Sequence, residues 1–230
     1  MDCLTAIEIL DRDTKQLTKN TRQNIQDLCQ KFYNLSGEKY YEWRYKAAFG
    51  YFIAEYVTKL QEISSENDID DIFLCARRLL EVFIVLKYIS QTNTFSDVVE
   101  YCERDRYEYL EGWKARQIAD VKLFPELIDL YDNLQKEIQE QENIVKKYGK
   151  KPNKMPDMGK MARYIGYGEE YNYFYKFSSK MFHFCPFTLN GDANYSGRVH
   201  KVVFVRRIAK YLEEISKELE YIYQGIPSPS

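Results

Sequence analysis

Residues 72–89 read IFLCARRLLEVFIVLKYI, the most hydrophobic segment of the chain. Apolar side chains occupy almost every direction around a helix drawn through it, so it is read as a helix buried on nearly all sides and central to its fold. The acidic joint before it, SSENDIDD at 64–71, supplies several side chains able to cap the helix start.

Outward from this segment the same periodicity recurs. Upstream, Tyr41, Tyr45, Phe49, Phe52, Tyr56 and Leu60 follow steps of three and four, which predicts a helix over 39–63. Before it, Ile9, Leu17, Ile25, Leu28 and Phe32 mark a broken helical pattern over 5–33, open between one long helix and two. Downstream, Ser96 is placed to cap a helix over 97–113, with Val99, Cys102, Arg106 and Leu110 on one face. Pro125 suits the first turn of a helix over 126–148, which Gly149 ends. A long connection, GKKPNKMPDMGK, leads to a short helix at 161–165, an aromatic helix from 171, a polar turn at 190–197 and a last helix over 199–223.

Ten glycines and six prolines in 230 residues gather at these joints rather than marking the frequent turns of a β protein. The expected fold is all-α: one helical bundle of about six to eight helices over 1–224, followed by a disordered tail at 225–230.

The formal net charge of -2 leaves no overall polycation to coat nucleic acid, so any anion site must be local. Cys3, Cys29, Cys75, Cys102 and Cys185 are odd in number and contain no C-x-x-C, which argues against a disulfide framework and a zinc knuckle. The opening MDCLTAIEIL lacks the pattern of a signal peptide, and no apolar run has the length of a membrane span. A cytoplasmic setting is expected.

Chemistry is concentrated at 171–186, YNYFYKFSSKMFHFCP, where Tyr171, Tyr175, Ser179 and His183 stand at steps of four along one helical stripe. His183, one of two histidines, is the residue there whose ring titrates near neutrality, and Lys180 lies within a turn of it. An equally simple reading makes it a satisfied core residue.

On the central helix, Arg77 and Glu81 are four apart, with Arg78 beside them. Breaking a buried ion pair by removing one partner costs about 3–5 kcal/mol, so a pair in such a segment requires a reason. One reason is structural, an internal pair that fixes helix register. The other is a site, in which Arg77 holds an anion while Glu81 orients His183.

Two histidines without nearby carboxylates or paired cysteines do not make a metal site, and no phosphate loop, dinucleotide motif or nucleophile elbow is present. No cofactor is expected. Between 144 and 163 there are seven basic residues, among them Lys150, Lys151, Lys154 and Arg163, against one acidic residue. With Arg206, Arg207 and Lys210 they form a basic rim beside Tyr171, Tyr173 and Phe174, suited to a polynucleotide backbone with stacked bases. The alternative is a solvated loop that keeps the protein soluble.

Three pieces taken together, R-x-x-x-E at Arg77 and Glu81, MGKMARYIG at 158–166, and Y-x-x-x-Y-x-x-x-S-x-x-x-H at Tyr171, Tyr175, Ser179 and His183, resemble a bacterial family of unknown function numbered 5677. The likeness covers about 72–186. That family is similar in outline to helical domains of the HEPN type, which often dimerise and, when active, cut RNA without metal using an Arg four to six residues before a His. Here those positions hold Ser179, Ser178 and Phe177, so Arg77 or Arg78 would supply the charge from another helix.

Two functions are expected, the first from the residues themselves and the second from the resemblance. The first is a non-catalytic bundle, able to dimerise, that binds a partner or ligand through a pocket of Arg77, Glu81, Tyr171, Tyr175, Ser179 and His183, in a defence or stress setting. The second is a metal-independent ribonuclease in which His183 moves the proton, Arg77 or Lys180 stabilises the phosphate, Tyr175 and Ser179 position it, and Arg78, Lys150, Lys151, Lys154 and Arg163 hold RNA.

Overall fold

A computed structural model of the chain describes residues 3–36, 43–127, 135–136, 139–140, 142–143, 153–182 and 198–226, with the side chains of 3–7, 36, 110–111, 113–122, 127, 176–182 and 198–200 outside the description. Seven α-helices stand among the described residues: α1 Cys3–Ser36, α2 Arg44–Lys59, α3 Ile69–Thr92, α4 Asp97–Leu123, α5 Met158–Tyr164, α6 Gly168–Phe182 and α7 Arg198–Gln224. A single 3-10 turn, Pro125–Leu127, follows α4, and no strand occurs among these residues. The all-α expectation holds. No described helix is long and apolar enough to cross a membrane.

The chain divides into two compact units, Met1–Phe95 with Asp157–Ser230, and Ser96–Pro156. In the first unit α7 packs on α1 and α3, and α1 also packs on α2. Phe204, Ile208, Tyr211, Leu212 and Ile215 of α7 are buried, as are Ile72, Phe73, Leu79, Leu80, Phe83, Ile84 and Leu86 of α3. The centre is therefore shared between α3 and α7 rather than held by α3 alone. One stripe of α3 reaches the surface, with Leu74 and Arg78 exposed and Arg77 and Glu81 half-buried.

The first segment is one helix. Its hydrophobic pattern breaks because Asp11, Thr14, Thr18, Thr21 and Arg22 are buried on the face that continues into Ile25, Leu28 and Phe32. Thr14 and Thr21 donate their hydroxyls back to the carbonyls of Leu10 and Leu17, so the helix itself satisfies them.

Helix α2 ends at Lys59, four residues before the expected limit of 63, where Leu60 turns extended. Arg22 from α1 donates to the carbonyls of Leu60 and Gln61 at 3.0 and 3.1 Å, a substitute for the partners a continued helix would give them. The α1–α2 approach is close enough that a Cβ on Gly50 would lie 2.5 Å from the Phe32 ring.

Asp70 and Asp71 occupy the first turn of α3, where they complement the helix dipole. Asn93, in the left-handed conformation at φ 53°, closes its other end by donating to Ile89 and Ser90. The short helix α5 begins three residues earlier than expected because the Asp157 side chain accepts from the Gly159 and Lys160 amides. Tyr164 and Tyr167, at the α5–α6 corner, pack edge-on against Tyr88 and Phe83 of α3. Ile226, assigned by sequence to the tail, is buried, and its amide bonds to Tyr223.

In the second unit α4 runs ten residues past its expected end at 113. Tyr101 is buried, whereas Val99, Cys102 and Arg106, three of the four residues of the expected apolar face, are exposed. Glu100 accepts from the Asn153 amide and Glu108 from Lys154, which ties the 153–154 segment to α4. Of the helix expected at 126–148, residues 126–127 lie in the 3-10 turn, and 135–136, 139–140 and 142–143 are α-helical.

Candidate functional site

Helices α3, α5 and α6 bring together four of the residues singled out by sequence. On α3, Arg77 Nε donates to Glu81 Oε1 at 2.9 Å, the favourable spacing of one helical turn. The guanidinium of Arg77 lies over the Tyr175 ring of α6, 5.0 Å from its centroid. Tyr175 in turn stacks on Tyr171, with centroids 5.4 Å apart and planes 27° from parallel. A carboxylate, a guanidinium and two phenols thus form one continuous stack across two helices.

The site is partly open. The side chains of Arg77 and Glu81 retain 31% and 34% of their exposure, and Tyr175 retains 44%. This corrects the expectation of a fully buried pair: both residues sit on the stripe of α3 that faces α6 and solvent, while the next positions, Leu79 and Leu80, take the core.

Tyr171 is the deeper phenol. Burial first, then the neighbouring Tyr175 and the carboxylates of Glu81 and Asp157, push its hydroxyl above the ordinary tyrosine range, against the opposing charge of Arg77. It is therefore a neutral hydrogen-bonding group at physiological pH rather than a base. Its ring edge and the Arg163 guanidinium lie 3.5 and 3.6 Å from the place a Cβ on Gly159 would fill, so the glycine leaves room for both against α5.

The remaining predicted residues fall elsewhere. Arg78 is exposed and lines a 60 Å³ cleft with Leu60, Asp71 and Cys75, not with the tyrosines. Lys154 belongs to the second unit and bonds Glu108. Ser179 and Lys180 lie in the last turns of α6, with only their backbone described, and His183, Lys150 and Lys151 lie outside the described residues. Phe174, expected to stack on a base, is 1% exposed and packs with Phe73 and Phe204. Among the described residues no three His, Cys, Asp or Glu side chains converge as metal ligands would.

A second polar cluster escaped the sequence reading. Glu170 of α6 accepts from both Arg207 and the hydroxyl of the fully buried Tyr211 on α7. Arg207 also lies over the Tyr173 ring at 5.2 Å. Burial, then the bond to Glu170 and its charge, raise the Tyr211 hydroxyl far above its ordinary value. Two arginines assigned to one basic rim thus have different roles: Arg207 is bonded to Glu170, whereas Arg206 is exposed. Only the four-residue spacing of Arg207 and Tyr211 on α7 hinted at the cluster; its third member is far away in sequence.

No curated protein and no solved structure matches the chain. A family model does match, over residues 46–198, extending beyond the 72–186 likeness at both ends and spanning helices α2 to α6 with the whole candidate site. With about two thirds of its length covered by that model, this chain belongs to the family of unknown function DUF5677.

Proposed function

We propose that this protein is a cytoplasmic binding module that takes a ligand at the Arg77–Glu81–Tyr175–Tyr171 stack, with Ser179 and His183 as further members of the same site. The observation that carries this reading is the fixed arginine. Its Nε is held by Glu81 and its face by Tyr175, yet its side chain keeps about a third of its exposure. An exposed arginine loses conformational freedom when it binds, and one already oriented loses less. The same arrangement favours binding over cleavage, because the charge that a transition-state phosphate would draw on is already engaged by Glu81.

The test is a thermal-shift panel of nucleosides, simple carboxamides and inorganic phosphate on the full chain. The expected result is a compound that raises the melting temperature of wild type and leaves Arg77→Ala and Tyr175→Ala unmoved, both variants keeping wild-type helix content. RNA incubated with the protein in excess EDTA is expected to stay intact. Cleavage abolished by Arg77→Ala would replace the binding reading with a nuclease.

A further inference from the structure

We infer that the Arg77–Glu81 pair reads the edge of an uncharged planar base, a nucleobase, rather than an anion; this rests on the binding reading above. Among the described residues, Arg77 hydrogen-bonds only Glu81, through Nε, and Glu81 is engaged only through Oε1. Both Nη groups of Arg77 therefore keep their N–H donors, and Oε2 of Glu81 keeps its lone pairs. The pair presents donors and an acceptor next to one another on a net charge of zero.

That combination selects a chemical class. A sulfate or phosphodiester accepts from the arginine but has nothing to donate to the carboxylate, and any phosphate anion is repelled by that carboxylate's charge. A nucleobase edge carries an acceptor beside an N–H, as in O6 and N1–H of guanine, O4 and N3–H of uracil, or N7 and N6–H of adenine. Arginine reading guanine O6 and carboxylates accepting base N–H groups are the known complements. Beside the pair lie the guanidinium plane of Arg77 and the outer edge of Tyr175, whose ring already carries Arg77 and Tyr171 yet stays partly exposed, and guanidinium and aromatic groups are the usual neighbours of an unstacked base. A lone carboxamide shares the edge chemistry but not the ring, and gains nothing from the aromatic surface.

The proposal is tested by calorimetric titration of the full chain with guanosine, uridine, acetamide and inorganic phosphate, repeated with Arg77→Lys and Glu81→Gln. Arg77→Lys keeps the charge and removes the fork; Glu81→Gln exchanges an acceptor-only group for one that also donates. The expected outcome is nucleoside binding that weakens about tenfold or more in each variant, with no competition from phosphate and little sensitivity to salt. Phosphate binding that outcompetes the nucleosides, or acetamide binding as tightly as they do, while still sensitive to Arg77→Lys, overturns the base assignment but leaves the binding site standing. If no probe shows a dependence on Arg77→Lys, both the assignment and the binding reading fail. Circular dichroism of each variant separates these outcomes from loss of fold.

Discussion

Arg77 of α3 and Tyr175 of α6 meet with the guanidinium carbon 5.0 Å above the aromatic ring. The contact joins helices that the chain separates by the second compact unit, α4 included, and by α5. At a partly exposed site such a cation–π contact contributes on the order of 0.5–1 kcal/mol, and the Arg77–Glu81 pair one turn apart about 0.3–0.5 kcal/mol. These are small beside the burial of Phe73, Phe174 and Phe204, which pack within 6.2 Å of one another under the same helices. The fold rests on the phenylalanines, and the arginine rests on the fold.

The α1–α2 contact depends on a missing side chain. Gly50→Ala would drive a methyl into Phe32, whose ring is fully buried and edge-on to Tyr223. Overpacking of this kind costs about 1–3 kcal/mol, which outweighs the roughly 1 kcal/mol that alanine gains over glycine in a helix. Gly112 of α4 has open space around it, so Gly112→Ala should stabilise. Urea unfolding of the two variants should give opposite signs; equal stabilisation would refute the Phe32 contact.

Tyr211→Phe tests the second cluster. It leaves the packing and removes one charge-assisted bond to Glu170, a loss of about 1.5–3 kcal/mol by chemical denaturation. The raised Tyr211 hydroxyl also sets a pH dependence. Below the unfolded tyrosine value of about 10 the phenol is neutral in both states and its full contribution is present. Above it the unfolded chain ionises first, so stability falls as pH rises toward the folded value. Wild type should lose stability above pH 10 more steeply than Tyr211→Phe; parallel curves would exclude the bond.

Cysteine labelling reports on α3. Cys75 is buried, and burial pushes its thiol up to about 11, against the nearby charges of Arg22 and Arg78. Cys102 is exposed. A thiol reagent at pH 8, followed by peptide mass spectrometry, should modify Cys102 in the native protein and Cys75 only on unfolding. Native-state labelling of Cys75 at a matching rate would mean that α3 is not packed as described.

Much of this architecture was legible because apolar spacing survives in the sequence. Helices α3 and α7 declare themselves this way, and R-x-x-x-E and Y-x-x-x-Y each announce a pair one turn apart; α2 stands where its aromatic spacing put it, but Tyr45, Phe52 and Tyr56 of that run are exposed while Ala47, Phe49, Ala54 and Val57 take the core. What pattern alone misses is burial that runs against residue type. Thr14 is completely buried on α1 yet counts as polar, and Arg22 spends its charge on the two carbonyls just past the end of α2. Exposure also misleads in the other direction, since Val99 and Cys102 look like core and face solvent. For the site, spacing placed Arg77 with Glu81 and Tyr171 with Tyr175, but only tertiary structure brings one pair onto the other. The Glu170–Arg207–Tyr211 cluster stayed hidden for the same reason.

The central claim, that the Arg77–Tyr175 stack serves binding rather than holding the bundle together, is tested most directly by urea unfolding of Arg77→Ala, Tyr175→Ala and Phe174→Ala. Losses of about 1–1.5 kcal/mol are expected for the first two and of about 3–5 kcal/mol for the buried phenylalanine between the same helices. A loss at Arg77→Ala as large as that at Phe174→Ala would make the pair a structural pillar and contradict the claim.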